Sequence, residues 1–390
     1  MKIKFNTNII PLLLLFCCIA QFPWLPHSME LLLRYSCAIS LLISYIKYIP
    51  RITIFIPLFG LLGVMFISNS LASVNINSKI ASYMYILIIL DIFLVVNISI
   101  KKNGLQKFCL YMFYVLLPFI LLTDISILFF QKEFDSNAEY ILGTKFQVVY
   151  FHIMFLTVFM QSHLEQKLSN SNGNDKIRMF GSKKKNYFLF IMLIITFIVF
   201  YRIKCGTGLV MLTVFIILCF SPKIFNKFIT RPWILIFTFG LLNAIIFNLE
   251  RILEGPLVQK IVTDILHKSL SLTGRTAIYS QMEVWIQYVN PYIGNGTYNS
   301  VVDSVVGYGN AQNGILNFFI QYGLLGVVAL IYIIFLSAKI ENKEMLAPFY
   351  VMLLSFFVAS IVEISFGQPF FVCIAVIVTF RKTKIKFKFK

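Results

Sequence analysis

Charge is what this chain lacks most. Only 13% of its 390 residues are Asp, Glu, Lys or Arg, roughly half the share of an ordinary soluble domain. Hydrophobic residues make up 59%, and the mean hydropathy is +0.83. No soluble core absorbs that much apolar sequence. The composition therefore excludes a soluble globular protein and predicts an all-α polytopic membrane protein, one membrane-embedded domain over residues 1–390. Acids are scarcer still: 16 against 34 basic residues, a net charge of +18. The seven cysteines (17, 18, 37, 109, 205, 219 and 373) lie mostly inside apolar runs. They have neither metal-ligand spacing nor the pattern of a secreted disulfide framework, and they read as small packing residues. No convincing internal repeat is present. The first apolar run lacks a small-residue cleavage site, since Phe22-Pro23-Trp24-Leu25-Pro26 follows it. It is expected to stay as an uncleaved span.

What is abundant is apolar sequence in lengths suited to a bilayer. About twelve transmembrane helices are expected: Asn8–Trp24, Leu31–Ile46, Ile52–Ser70, Ile80–Ile98, Phe108–Phe130, Phe146–Met160, Tyr187–Tyr201, Thr207–Phe220, Trp233–Leu249, Ile315–Leu336, Leu346–Ile361 and Pro369–Phe380. With a cytoplasmic N-terminus, 24 of the 34 Lys and Arg fall on inner segments, alongside only four acids, Glu165, Asp175, Glu341 and Glu344. The positive-inside rule then places both termini in the cytoplasm. The basic excess becomes an inner-surface feature facing anionic lipid, and a nucleic-acid partner is not needed to explain it.

Two connecting segments stand out. Residues 162–186 hold Ser169-Asn-Ser-Asn-Gly-Asn174 and read as a flexible cytoplasmic linker. Residues 250–313 form one large extracytoplasmic loop, a length uncommon without a function. Its Leu253–Leu270 part has apolar residues at helical spacing and could lie on the membrane surface. The C-terminal Lys384–Lys390 alternates charged and apolar residues, as a surface-anchored tail does.

Polar residues worth chemistry are few. Asp91 is the one acid well inside a span, where a charge is costly and usually faces a polar interior. Glu30 and Arg34 have the i,i+4 spacing of a helical pair. Arg202 and Lys204 lie outside against the charge rule, in a very short turn. Such cations suit a phosphate group, and snorkelling to lipid headgroups is the competing reading. Within the loop, Arg275 follows Ser271-Leu-Thr-Gly274, and Glu283, Trp285, Tyr288 and Tyr292 come after it. Trp285 and the tyrosines could stack on sugar rings or form an interfacial belt. Asn290-Pro291-Tyr-Ile-Gly294-Asn-Gly296 is a turn by its Pro and Gly content. His267 is the loop's single histidine and reads as a packing or surface residue.

Gly274-Arg275, Trp285, Pro291, Gly294-x-Gly296, Asn313-x-x-Leu316 and Gly323-x-x-Gly326, in this order, resemble the O-antigen ligase/polymerase family, which includes Wzy-type polysaccharide polymerases. The likeness covers about Thr273–Gly326. It implies a glycosyltransferase acting at the outer face of a bacterial cytoplasmic membrane on polyprenyl-diphosphate-linked oligosaccharides. It implies no cofactor and no metal, and it makes a chain-length regulator and a flippase the expected protein partners. Arg275 matches a family arginine that contacts the diphosphate. A second family arginine aligns with Gly206, so Arg202 or Lys204 would have to substitute. Where the family often has His-Asn, this chain has Gln312-Asn313. Gln is no general base, which favours a polymerase over a ligase and leaves Glu283, Asp303 or Glu363 to take the acceptor proton, Glu283 first. Trp285, Gln312 and Asn313 are then expected to contact substrate. The rival classes are a lipid-linked oligosaccharide flippase and a structural membrane subunit.

Overall fold

The computed structural model describes residues 8–52, 54–130, 139–163, 183–220, 231–244, 252, 254–260, 263–264, 275–338 and 343–380. Most of the 162–186 linker, half of Leu253–Leu270 with His267, Thr273-Gly274 and the tail after Phe380 lie outside them. Twelve apolar helices occupy the twelve expected stretches: α1 Ile10–Ile19, α2 His27–Tyr45, α3 Phe55–Leu71, α4 Ile76–Asn103, α5 Leu105–Ile125, α6 Lys145–Ser162, α7 Lys183–Arg202, α8 Gly206–Phe220, α9 Pro232–Ala244, α10 Gly314–Ala338, α11 Ala347–Ala359 and α12 Gln368–Thr379. Four stretches are long and apolar enough to cross a membrane by themselves: His27–Arg51, Ile76–Asn103, Leu105–Phe130 and Gly314–Ala338. The only sheet among the described residues is a two-stranded hairpin, β1 Glu139–Tyr140 against β2 Gly143–Thr144.

The layering follows from which helices are apolar all round. α6 is buried from Val148 to Gln161, α11 almost throughout, and α12 from Pro369 to Val378. A helix with no polar face is either surrounded by others or set in lipid, and these three are surrounded. α12 packs on α4, and α11 packs between α6 and α8. The outer helices turn apolar side chains outward: Ile56 is 81% exposed, Ile43 71% and Phe237 68%. A water-soluble protein does not present such faces over its whole girth. This is the fold of an all-α membrane protein.

Local signals set the ends. Asn75 caps α4, its side chain accepting the Ser78 N–H at 2.8 Å. Lys101 and Lys102 occupy the last turn of α4, where cations suit the carbonyl end of a helix. Gly104, at φ +80°, turns the chain directly into α5. Glu30 and Arg34 do pair, at 3.7 Å, and Arg34 also donates to the Cys18 carbonyl at the end of α1.

Candidate functional site

From Arg275 onward the large loop is a folded cap with a core of its own. Short helices at Arg275–Ser280, Met282–Trp285 and Val301–Val306 surround Trp285. Ile278, Val289, Val301, Val302 and Ala311 pack with it, together with Ile320 of α10. Trp285 is fully buried, and its indole N–H donates to the Ile278 carbonyl at 2.9 Å. This corrects the expectation for Trp285. It has no ring face open to a sugar, because the loop needs its bulk to build a core.

The two glycine motifs form one joint. α10 breaks at Gly323, with φ +62° and ψ −169°. A break leaves carbonyls before it and amides after it without helical partners, which is costly in an apolar surrounding. The turn 290–297 supplies them. Asn295 N–H donates to the Ile320 carbonyl at 2.8 Å and Gly296 N–H to the Gln321 carbonyl at 2.9 Å. In return, Leu324 N–H donates to the Pro291 carbonyl at 2.8 Å and Leu325 N–H to the Tyr292 carbonyl at 3.1 Å. The backbones touch. A Cβ on Gly294 (φ +71°) would strike the Gln321–Tyr322 peptide, and one on Gly323 would strike the Tyr292–Ile293 peptide. Both glycines are thus required twice, by left-handed backbone and by close approach. Asn290 braces the turn by accepting the Tyr292 and Ile293 amides. The end of α3 grips the far side. The Ser68 hydroxyl donates to the Gln321 carbonyl, and Asn69 Oδ1 accepts the Thr297 N–H at 2.8 Å. Sequence reading located the turn and the Gly323-x-x-Gly326 pattern but neither their union nor Ser68 and Asn69.

Asn313 is the N-cap of α10. Its Oδ1 accepts the Leu316 N–H at 2.9 Å. Its Nδ2 donates to Asn243 of α9 at 3.2 Å and to the Ile361 carbonyl at 3.1 Å. It is 1% exposed. The expected substrate contact is therefore corrected: this amide is spent on tying α9, α10 and the α11–α12 turn together. Gly314 completes that knot, donating to the Ser360 carbonyl and leaving no room for a Cβ against Ser360 and Phe366. Gln312 is half-buried at φ +49°, and its amide nitrogen donates to Asn310 Oδ1 at 2.9 Å. Its carbonyl accepts the Tyr279 hydroxyl at 2.9 Å. Tyr279 is one helical turn beyond Arg275, so this bond brings the helix that starts at Arg275 to the chain at Gln312. The Arg275 side chain itself lies outside the described residues.

Of the three acids, Glu283 and Asp303 are exposed on the loop surface. Glu363 is 6% exposed in the α11–α12 turn, two residues from the carbonyl that Asn313 holds. Arg202 sits exposed at the end of α7 and Lys204 exposed in the α7–α8 turn, with Lys204 at φ +51°. That turn is tight because Gly208 packs against Val149 and Phe200. Near it, burial pushes the Tyr140 hydroxyl up to about 12. Among the described residues, no three His, Cys, Asp or Glu side chains gather as metal ligands.

No protein-family model matches the chain, and no curated protein matches it. The resemblance of its loop motifs to the O-antigen ligase/polymerase family thus rests on the residues alone.

Two further polar sites lie among the helices. His152 of α6 is fully buried, its Nδ1 2.7 Å from the Val148 carbonyl and its Nε2 2.8 Å from Asp124 Oδ1. A carbonyl only accepts, so Nδ1 carries a proton, and the contact to Asp124 holds a second one. Asp91 of α4 is fully buried, and neither of its oxygens has a partner among the described residues. Sequence reading found Asp91 and missed the pair. The signal for the pair was a histidine in one apolar stretch and an acid at the end of the preceding one.

Proposed function

We propose that this protein is a membrane glycosyltransferase that joins polyprenyl-diphosphate-linked oligosaccharide repeat units into a surface polysaccharide. The reaction would take place at the outer face of a bacterial cytoplasmic membrane, with twelve helices crossing the bilayer and both termini inside. One observation carries the reading. The turn 290–297 and the broken helix at Gly323 form a single backbone joint, so two fragments of the suspected family signature become one structural part. That part holds the folded cap against α10, and on this reading the cap lies where a lipid-linked substrate would meet water.

The chemistry needs little more. Breaking the glycosidic bond gives a lipid diphosphate, whose leaving oxygen gains charge. A guanidinium placed there stabilises the transition state more than the ground state. Arg275, at the start of a cap helix, is assigned that role, with Arg202 or Lys204 as further phosphate contacts. An acceptor hydroxyl from a second unit attacks the anomeric carbon as the diphosphate leaves, and its proton passes to a carboxylate acting as general base. Glu283 has the open position for this, and Glu363 has the burial that tunes a carboxyl group. Gln312 remains as an amide donor to substrate.

A flippase is the second reading, favoured by Asp91 and the Asp124–His152 pair, since ionisable groups among spans often mark transport pathways. Purified protein supplied with lipid-linked repeat units in detergent separates the two. Detergent removes the compartments that a transporter needs and leaves transfer possible. Longer glycan products are expected. Their absence, together with flipping in liposomes, would favour transport.

A further inference from the structure

We infer that the corner where the α2–α3 turn meets the end of α4 binds the phosphate of an anionic phospholipid, held by Lys47, Arg51 and Lys101. The inference rests on the membrane fold and is independent of the glycan-transfer reading. It replaces a diffuse attraction between basic loops and lipid with one built site.

Ordered contacts make the corner. α2 runs into a 3-10 turn, Ile46–Arg51, that leads on to α3. Lys101, in the last turn of α4, donates from Nζ to the Arg51 carbonyl at 2.9 Å. This bond fixes the turn on α4. Within the turn, Lys47 Nζ lies 5.2 Å and the Arg51 guanidinium carbon 5.0 Å from the centre of the Tyr48 ring. One ring thus attracts both cations and keeps them within about 10 Å of each other. Tyr45 flanks it, with ring centroids 6.2 Å apart. Lys47 is exposed, and Tyr48, Arg51 and Lys101 are half-buried. Lys102 and Lys107 are exposed on either side of the Gly104 turn that follows.

The sequence that builds the corner brings no balancing charge. Residues 31–90 and 92–123 contain no acid, and Asp91 is buried ten residues before Lys101, about 15 Å up the helix. α1 and α12 also pack on α4, and the stretches before Glu30 and after Glu363 add only basic residues. Glu363 is at the other end, since the Tyr85 hydroxyl early in α4 donates to the Phe366 carbonyl just before α12. Cations gathered in this way repel one another, so the corner favours an anion. An arginine fork and two ammonium points suit phosphate oxygens. The flanks choose the carrier of that phosphate. Ile43 and Ile46 lead into the turn and Ile56 follows it, 71%, 55% and 81% exposed. Apolar side chains beside fixed cations match an amphiphile, with its head on the turn and its chains along α2 and α3. A free anion would have no use for them.

The test titrates the full-length protein in detergent with phosphatidylglycerol, phosphatidylcholine or inorganic phosphate. Lipid retained in native mass spectrometry and melting temperature are the readouts. Phosphatidylglycerol is expected to be retained and to raise the melting temperature, and phosphatidylcholine to do neither. Lys47→Gln with Arg51→Gln keeps the Arg51 carbonyl and should lose retention at least ten-fold, with lipid-free melting unchanged. Should that variant melt early, Lys47→Gln alone, at an exposed side chain, should still lose it about three-fold. Tyr48→Phe should retain the lipid and Tyr48→Ala should lose it several-fold. Lys184→Gln with Lys185→Gln removes equal charge from another inner segment and should match the parent. Parental retention in the Lys47 variants, or an equal loss in the Lys184 and Lys185 variant, would overturn the site. Inorganic phosphate raising the melting temperature as much as phosphatidylglycerol would overturn the lipid as its ligand.

Discussion

Replacing Gly294 by alanine tests the joint most directly, because two other glycines separate its contributions. Gly307 also has a positive φ, +74°, but a Cβ there meets nothing within 4 Å. Gly307→Ala therefore carries only the left-handed cost, about 1–2 kcal/mol. Gly309 has open space and no positive φ, so Gly309→Ala should be neutral or slightly stabilising. Gly294→Ala carries the left-handed cost plus a collision with the Gln321–Tyr322 peptide. Backbone cannot swing aside as a side chain can, and overpacking of this kind costs about 1–3 kcal/mol. Relief by backing the turn away would stretch the four hydrogen bonds that join it to α10, each contributing about 0.5–1.5 kcal/mol. The expected loss is about 2–5 kcal/mol, against about 1–2 for Gly307→Ala. Gly323→Ala should match Gly294→Ala, since it strikes the same joint from the other side. The assay is thermal unfolding of detergent-purified protein, with the monodisperse yield as a second readout. If Gly294→Ala melts together with Gly307→Ala, the backbone contact is not what holds cap to helix, and the account of the joint is wrong.

Three further outcomes are expected. Arg275→Lys should keep membrane insertion and lose chain extension roughly 30–150-fold, because an ammonium cannot grip a diphosphate with two parallel bonds; Lys268→Ala, outside the motif, should be near neutral, and a full-length glycan ladder from Arg275→Lys would remove the clamp. Asp124→Leu strands His152 Nε2 inside the bundle and should cost about 1–3 kcal/mol, whereas Asp124→Asn, whose amide can donate to that nitrogen, should melt close to the parent; equal losses in the two would show that the pair contributes packing only. A cysteine at the exposed Ser300, in a cysteine-free background, should be labelled in intact cells, and labelling only after permeabilisation would invert the topology.

The helices were legible because their signal is local. Each apolar stretch is read from its own residues, and each holds a helix among the described residues, although only four are long and apolar enough to cross a membrane by themselves. Glu30–Arg34 was legible for the same reason, since an i,i+4 pair needs no knowledge of the fold. The site was legible as a region rather than as a set of roles. Trp285 and Asn313 have the residue types of sugar contacts, yet one fills the cap's core and the other ties α9, α10 and the α11–α12 turn. Whether a polar or aromatic group is spent inside depends on partners distant in sequence. Asn243 is 70 residues from Asn313, and Ser68 is 253 from the Gln321 carbonyl. The break in α10 was hidden for a related reason: Gly323 alone reads as a tolerable helical glycine, and only the turn at Gly294 makes a break there cheap. Asp124 and His152 gave no local pattern at all, as they meet across two helices.

The break in α10 also bears on how the protein is made. A continuous apolar helix can leave the insertion machinery and rest in lipid before it finds neighbours. In its bent form α10 cannot, because the amides and carbonyls around Gly323 would face hydrocarbon. Its partners are all translated earlier: Ser68 and Asn69 on α3, then the turn 290–297. On the proposed topology they are already at the outer face when residues 314–338 emerge. α10 can thus take its bent form only against these partners, and α11 and α12, synthesised last, then fill the centre of the bundle.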